Sequence, residues 1–170
     1  WSTYRYAPWQ EEQLINGLGD LHEKGLIEEI GLSNTGPERL NFLYQKLKER
    51  GIKISSIQMQ FSLLTKPSVE DKKIRNICNE YNIEYLAYSP LALGILAIPP
   101  DESPKTSTFI RQKLFKRILP KTKELRKLLT NIGEKYSATE AQVALNWVRS
   151  HGAKPIVGIR NPLQAKDAIS

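Results

Sequence analysis

The sequence predicts an α/β protein with helices covering a parallel sheet, and three observations carry that expectation. Segments of helical period alternate with short apolar runs. The runs are apolar almost throughout, as in strands buried on both faces, and polar residues collect just after them, where such sheets place their sites. The 170 residues are 40% hydrophobic and 25% charged, the composition of an ordinary folded chain and about the length of one domain.

Taken in order, Gln10 to Lys24 reads as a helix with Leu14, Leu18 and Leu21 on one face and Gly25 at the left-handed cap. LIEEIGLSN follows as a strand through Ile27, Ile30 and Leu32, ending at Ser33. GPERLNFLYQKLKERG is a second helix, with Pro37 near its first position and Gly51 past its end. KISSIQMQ supplies the next strand, about Val69 to Tyr81 a third helix, and IEYLAYS from Ile83 a third strand. The stretch after Pro90 has Pro and Ser clusters and little period, so residues 89–120 are expected to form a long functional loop. Helices resume near Lys121 to Tyr136. SATEAQVALNWVRSHG then opens with an expected capping box from Ser137 to Glu140 and presents Ala141, Ala144, Leu145 and Val148 on its apolar face. AKPIVGIRN reads as a fourth buried strand, and NPLQAKDAIS begins a last helix with Pro162 near its start.

Several function classes drop out. No apolar run reaches the roughly 20 residues of a membrane-spanning helix, and WSTYRYAPWQ lacks a signal-peptide pattern. The lone Cys78 forms no internal disulfide and sits at helical spacing with Ile74, Ile77 and Tyr81, as a core residue would. A cytoplasmic or other reducing compartment is therefore the expectation. His22 and His151 lie near helix ends, far apart, and no HExxH or CxxC is present, so no metal site is expected. Opening on Trp1 rather than Met suggests a piece of a longer protein.

The formal charge of +7 is concentrated between Asp101 and Lys127, where nine basic residues, from Lys105 to Lys127, face three acidic ones. A solvated face accounts for such a run, and so does an anion site. With only Phe109 and Phe115 interleaved and no groove-reading motif, a nucleotide phosphate suits it better than nucleic acid. Strand ends carry Ser33-Asn34, Gln58 with Gln60, Tyr88-Ser89 and Gly158 to Asn161, and no GxGxxG follows any strand. Read alone, Ser33-Asn34 is equally a turn or helix cap, and Tyr88 equally a core residue.

GLIEEIGLSNTGPERL, SSIQMQFSLL, EYLAYSPLALGIL, AQVALNWV and PIVGIRNPLQAKD, in that order from Tyr6 to Asp167 with YAPWQEEQL before them, resemble the C-terminal half of an aldo-keto reductase of the plant and bacterial type. The resemblance implies a (β/α)₈ TIM barrel, of which this chain supplies strands five to eight with their helices as one portion of a single barrel domain. It also implies NADPH-dependent reduction of aldehydes or ketones to alcohols by hydride transfer. By the same resemblance Ser33, Asn34 and Gln58 hold the nicotinamide carboxamide and Tyr88 stacks on the ring. Ser89, Pro90, Leu91 and Gly94 of SPLALG follow the pyrophosphate. The long basic loop covers the cofactor with Arg111 on a phosphate, and Gly158, Arg160 and Gln164 serve the adenosine end, Arg160 gripping the 2′-phosphate. Just after the last strand, Gly158-Ile159-Arg160-Asn161 departs from several family members that carry Lys and Ser there.

The family's catalytic Asp, Tyr, Lys and His belong to its first four strands, and none of those motifs occurs here, so the tetrad is expected N-terminal to Trp1. The expected partner is a small carbonyl substrate, with neither nucleic acid nor a membrane, and exposed half-barrel edges invite self-association. The alternative within the resemblance is a catalytically inactive nucleotide-binding half barrel, or a regulatory subunit like the potassium-channel β subunits.

Overall fold

A computed structural model describes residues 8–65, 68–104 and 108–169. The opening residues from Trp1 to Ala7, including Tyr6, lie outside that range, as does Lys105 of the basic stretch. The elements are α1 (Pro8–Glu23), β1 (Glu29–Ser33), α2 (Pro37–Glu49), β2 (Lys53–Gln60), α3 (Val69–Tyr81), β3 (Glu84–Tyr88), a 3₁₀ segment (Ala92–Ala97), α4 (Phe109–Tyr136), α5 (Glu140–Ser150), β4 (Lys154–Ile156) and α6 (Pro162–Ile169). The strands lie in the order β1-β2-β3-β4. Each is joined to the next through helix, the connectivity of a parallel sheet, and β1 pairs parallel with β2. The chain divides into two compact units. One takes in residues up to Gln60 and the stretch ending at Leu86, and the other Phe61–Thr65 and everything from Ala87 on.

In the first unit Ile30, Leu32, Ile54 and Ile57 are buried, whereas Met59 is half-buried and Ile27, expected within the first strand, lies half-buried before β1. Helix α2 starts at Pro37, where a missing N–H costs nothing, and its Leu40, Leu43 and Leu47 are fully enclosed. It stops because Gly51 takes φ +71° and the Ile52 N–H returns to the Leu47 carbonyl. Ser68 caps α3 by accepting the Asp71 N–H, and left-handed Asn82 ends it. In α1 the helix is turned from the expected face: Ile15 and Glu11 are buried while Leu21 is exposed. Glu11 on that face pairs with Arg39, while Leu14 and Leu18 of the expected face are half-buried.

In the second unit Leu96, Leu129 and Ala144 form a core against which Leu91, Leu125 and Val143 pack. Three expectations change here. The 89–120 segment is no continuous loop, because α4 begins at Phe109 and runs 28 residues through Pro120. Pro120 is solvent-exposed, so water can satisfy the Lys116 carbonyl that loses its helical partner, while Phe115 and Thr122 anchor either side of it in the core. The capping box of α5 is Thr139 with Gln142, reciprocally bonded at 3.2 and 2.9 Å, because Ser137 is already spent as the left-handed end of α4. Finally, β4 is only three residues long and Ile156 is 41% exposed, so it is no buried strand. It stands last in the sheet, with a neighbour on one side only.

Candidate cofactor site

The first unit builds a cluster of amide and hydroxyl groups at the ends of β1 and β2. The β1/β2 register slips by one residue between Ile30 and Gly31, so that Ser33 lies opposite Gln58. Gly31 makes the slip possible: a Cβ there would come 2.9 Å from the Ser56 hydroxyl. The Ser55 hydroxyl reaches the Ile30 carbonyl at 3.4 Å beside the irregularity. Beyond the strand, Asn34 adopts φ 51°, and its N–H donates to the Gln58 carbonyl at 3.0 Å while its side-chain amide donates to the Ser33 hydroxyl at 3.3 Å. Thr35, fully buried, donates to the Ser33 carbonyl and closes the turn. Ser33, Asn34 and Gln58 are thereby brought together, Ser33 and Gln58 half-buried and Asn34 exposed.

In the second unit Tyr88 ends β3 half-buried, its carbonyl accepting the Phe61 N–H at 3.3 Å. Phe61 in turn stacks on Trp147, with ring centroids 5.2 Å apart, and Trp147 lies 4.1 Å from the His151 ring. A tightly wound turn follows. Ser89, Ala92 and Leu93 have φ of 53°, 48° and 60°, and Gly94 has 91°. Three non-glycine residues in this sparsely populated region within five positions mark a strained segment, of the kind that concentrates at ligand sites. The Ala92 and Gly94 amides are used inside the turn, on the Ser89 and Leu91 carbonyls, and Pro90 has none to give. The Ser89 hydroxyl and the Leu91 amide carry no partner among the described residues and remain the donors an anion could use.

At the start of α6 the Gln164 N–H donates to the Asn161 side-chain oxygen and the Arg160 N–H to the Gln164 side-chain oxygen, both at 2.9 Å. This cap fixes the backbone of Arg160 and leaves its exposed guanidinium without a partner among the described residues. It also engages the side-chain oxygen of Gln164, a residue the resemblance assigns to the adenosine end. Gly158 lies in the exposed chain just before. Arg111, expected in a loop, stands on the exposed surface of α4, and its side chain makes no hydrogen bond or ion pair among the described residues.

Sequence reading missed Gly31, whose place inside an apolar strand is the usual sign of an irregularity, and Phe61, which supports Tyr88. It also missed Asp167, which accepts from Thr139 at 2.9 Å and ties α6 to the start of α5. Cys78 is buried, and burial pushes its thiol up to about 11, the behaviour of a core residue rather than a nucleophile.

The family profile "Aldo/keto reductase family" matches residues 3–170. The chain is 42% identical over 169 residues to a chloroplastic pyridoxal reductase of Arabidopsis thaliana, covering 99% of this chain and 46% of that protein. It is 30% identical over 159 residues to an NADPH-dependent alpha-keto amide reductase of Saccharomyces cerevisiae, covering 92% and 43%. Among solved structures, a glycerol dehydrogenase from Gluconobacter oxydans superposes with a TM-score of 0.74 at 23% identity, over 92% of this chain and 48% of that one. This α/β chain belongs to the aldo/keto reductase family, and one of the relatives it matches is named as NADPH-dependent. It spans about half the length of the relatives it matches. No described helix is long and apolar enough to cross a membrane.

Proposed function

We propose that this chain is the cofactor-holding, C-terminal half of a (β/α)₈ reductase that uses NADPH to convert an aldehyde or ketone to an alcohol. The observation that supports this best is the pairing of Ser33 with Gln58 and the bond from the Asn34 amide to the Gln58 carbonyl. Three short polar side chains fixed at strand ends suit a carboxamide, which needs donors and acceptors at set angles. Tyr88 offers a flat ring for the nicotinamide, the Ser89–Gly94 turn donors for pyrophosphate, and Arg160 an unengaged guanidinium for a 2′-phosphate. Bound NADPH would supply the hydride. The chain's own residues orient the ring and hold the phosphates, and the reading places the proton-donating tetrad outside residues 1–170.

The test is fluorescence titration of the chain with NADPH and, in parallel, NADH. Saturable NADPH binding that weakens about tenfold in Arg160→Met, with NADH binding unchanged by that substitution, is the expected result. Absence of NADPH binding overturns the reading. Pyridoxal and alpha-keto amides, named for two relatives, are the carbonyl compounds to assay first with the full-length protein. Carbonyl-dependent NADPH oxidation by residues 1–170 alone would refute the placement of the tetrad.

A further inference from the structure

Arg126 on α4 is 1% exposed and has no ion pair among the described residues. Its guanidinium instead donates to three backbone carbonyls, those of Ile98, Pro99 and Glu102, the last at 2.6 Å. These acceptors belong to one turn, in which the Glu102 N–H also returns to the Pro99 carbonyl at 3.1 Å. One helical turn before Arg126, Lys123 grips the same segment from outside through Asp101 at 2.8 Å. Burying a permanent charge is costly even with the Asp101, Glu102 and Glu140 carboxylates acting on it, and a hydrophobic residue would fill the place with less penalty. What the guanidinium supplies is direction: a rigid fork of donors fixes three carbonyls at once, which no apolar side chain does.

The anchored turn is the continuation of Ser89–Ala97. The chain leaves the strained residues Ala92 to Gly94, buries Ile95 and Leu96, and enters the turn held by Arg126 directly afterwards. Leu96 packs with Leu129, one turn beyond Arg126 on the same helix. The strained stretch is therefore tied down on its C-terminal side by an apolar contact and a polar one, both from α4. Local strain persists only where the surroundings over-determine it, and the carbonyl-bound Arg126 is the most directional of those restraints.

We propose that Arg126 is a positioning residue for the cofactor: by fixing residues 98–102 it holds the Ser89–Gly94 turn in the conformation that receives the NADPH pyrophosphate. This rests on the cofactor reading above. Three variants of the full chain test it: Arg126→Met, Arg126→Lys, and Arg117→Met as an exposed control on the same helix. Amide exchange across residues 96–104 reads the anchor without cofactor, and NADPH titration reads its consequence. Arg126→Met should speed exchange there about tenfold or more and weaken NADPH binding about tenfold, with Arg126→Lys in between and Arg117→Met like the parent. In the full-length enzyme the loss should fall on KM for NADPH rather than on kcat. If Arg126→Met does not fold, Arg126→Lys carries the same comparison. Unchanged exchange overturns the anchor. Faster exchange with NADPH affinity within twofold of the parent overturns the positioning role. A parent chain that fails to bind NADPH overturns the cofactor reading and this role together, whereas the exchange result still distinguishes the anchor.

Discussion

Ser33 and Gln58 face each other across β1 and β2 only because the register slips at Gly31. Without the slip Ser33 would lie opposite Ile57, and the two polar side chains would not share a place at the strand ends.

Gly31→Ala tests that dependence. The new Cβ would meet the Ser56 hydroxyl at 2.9 Å, so stability should fall by about 1 kcal/mol in denaturant melts and NADPH binding should weaken several-fold. Adding Ser56→Gly removes the obstructing hydroxyl and should restore most of both. A single variant that binds like the parent would separate the slip from the site.

Asn34 combines a left-handed backbone with a side chain aimed at Ser33. Asn34→Gly keeps the backbone and should cost NADPH affinity, about fivefold to tenfold, with little change in Tm. Asn34→Ala should add a stability loss of about 1 kcal/mol because alanine resists positive φ. Equal affinities for the parent and the glycine variant would remove the side chain from the site.

Cys78 and Tyr85 make stability fall in alkali. Burial raises both, Cys78 to about 11 from an ordinary 9.0, and Tyr85 is pushed up further by burial and by its bond to the Asp71 carboxylate at 2.7 Å. The folded chain therefore keeps protons that the unfolded chain releases. This contribution is complete below pH 9 and is lost as pH climbs towards 11, by about 2 to 3 kcal/mol for Cys78. Cys78→Ala should flatten the Tm profile between pH 9 and 11, and Tyr85→Phe should flatten it above pH 10. A thiol reagent at pH 8 should leave Cys78 untouched until the chain unfolds.

Glycine to alanine inside a helix normally stabilises by roughly 1 kcal/mol, but at Gly133 the sign should reverse. A Cβ there would collide with the Ala138 carbonyl oxygen, a backbone atom held by the turn that ends α4. A loss of about 2 kcal/mol is expected for Gly133→Ala, read as a lower Tm. A raised Tm would mean the turn yields.

The end of the sheet predicts association. Besides Ile156, Ile159 and Leu163 are exposed by 49% and 79% around the short β4. Residues 1–170 expressed alone should sediment as a dimer or larger, or bind a hydrophobic dye. A monomer with low dye binding would contradict this.

Much of the fold was legible because it depends on neighbours in sequence. Pro37 and Gly51 bound α2, the helical period marks α3, and short runs rich in Ile and Leu mark β1 and β2. The same local logic fails at residues 109–120, expected as loop but helical with Pro120 facing water, and at Ser137, which ends one helix and is not available to cap the next. For the site, the polar residues after β1, β2 and β3 stood out in the sequence, since a turn after a buried strand is where such residues are visible.

The sequence by itself determined the alternation of strand and helix, the family, and which residue types stand at the strand ends. These are written in spacing and caps that act within a turn or two of chain. Only the tertiary structure decided that Ser33 meets Gln58, that Gln164 serves a cap, and that Arg126 turns inward to three carbonyls more than twenty residues away. Each of those depends on a one-residue register or on competition for a single hydrogen bond. Such choices are settled by packing and polar satisfaction across the fold, where local preference is silent.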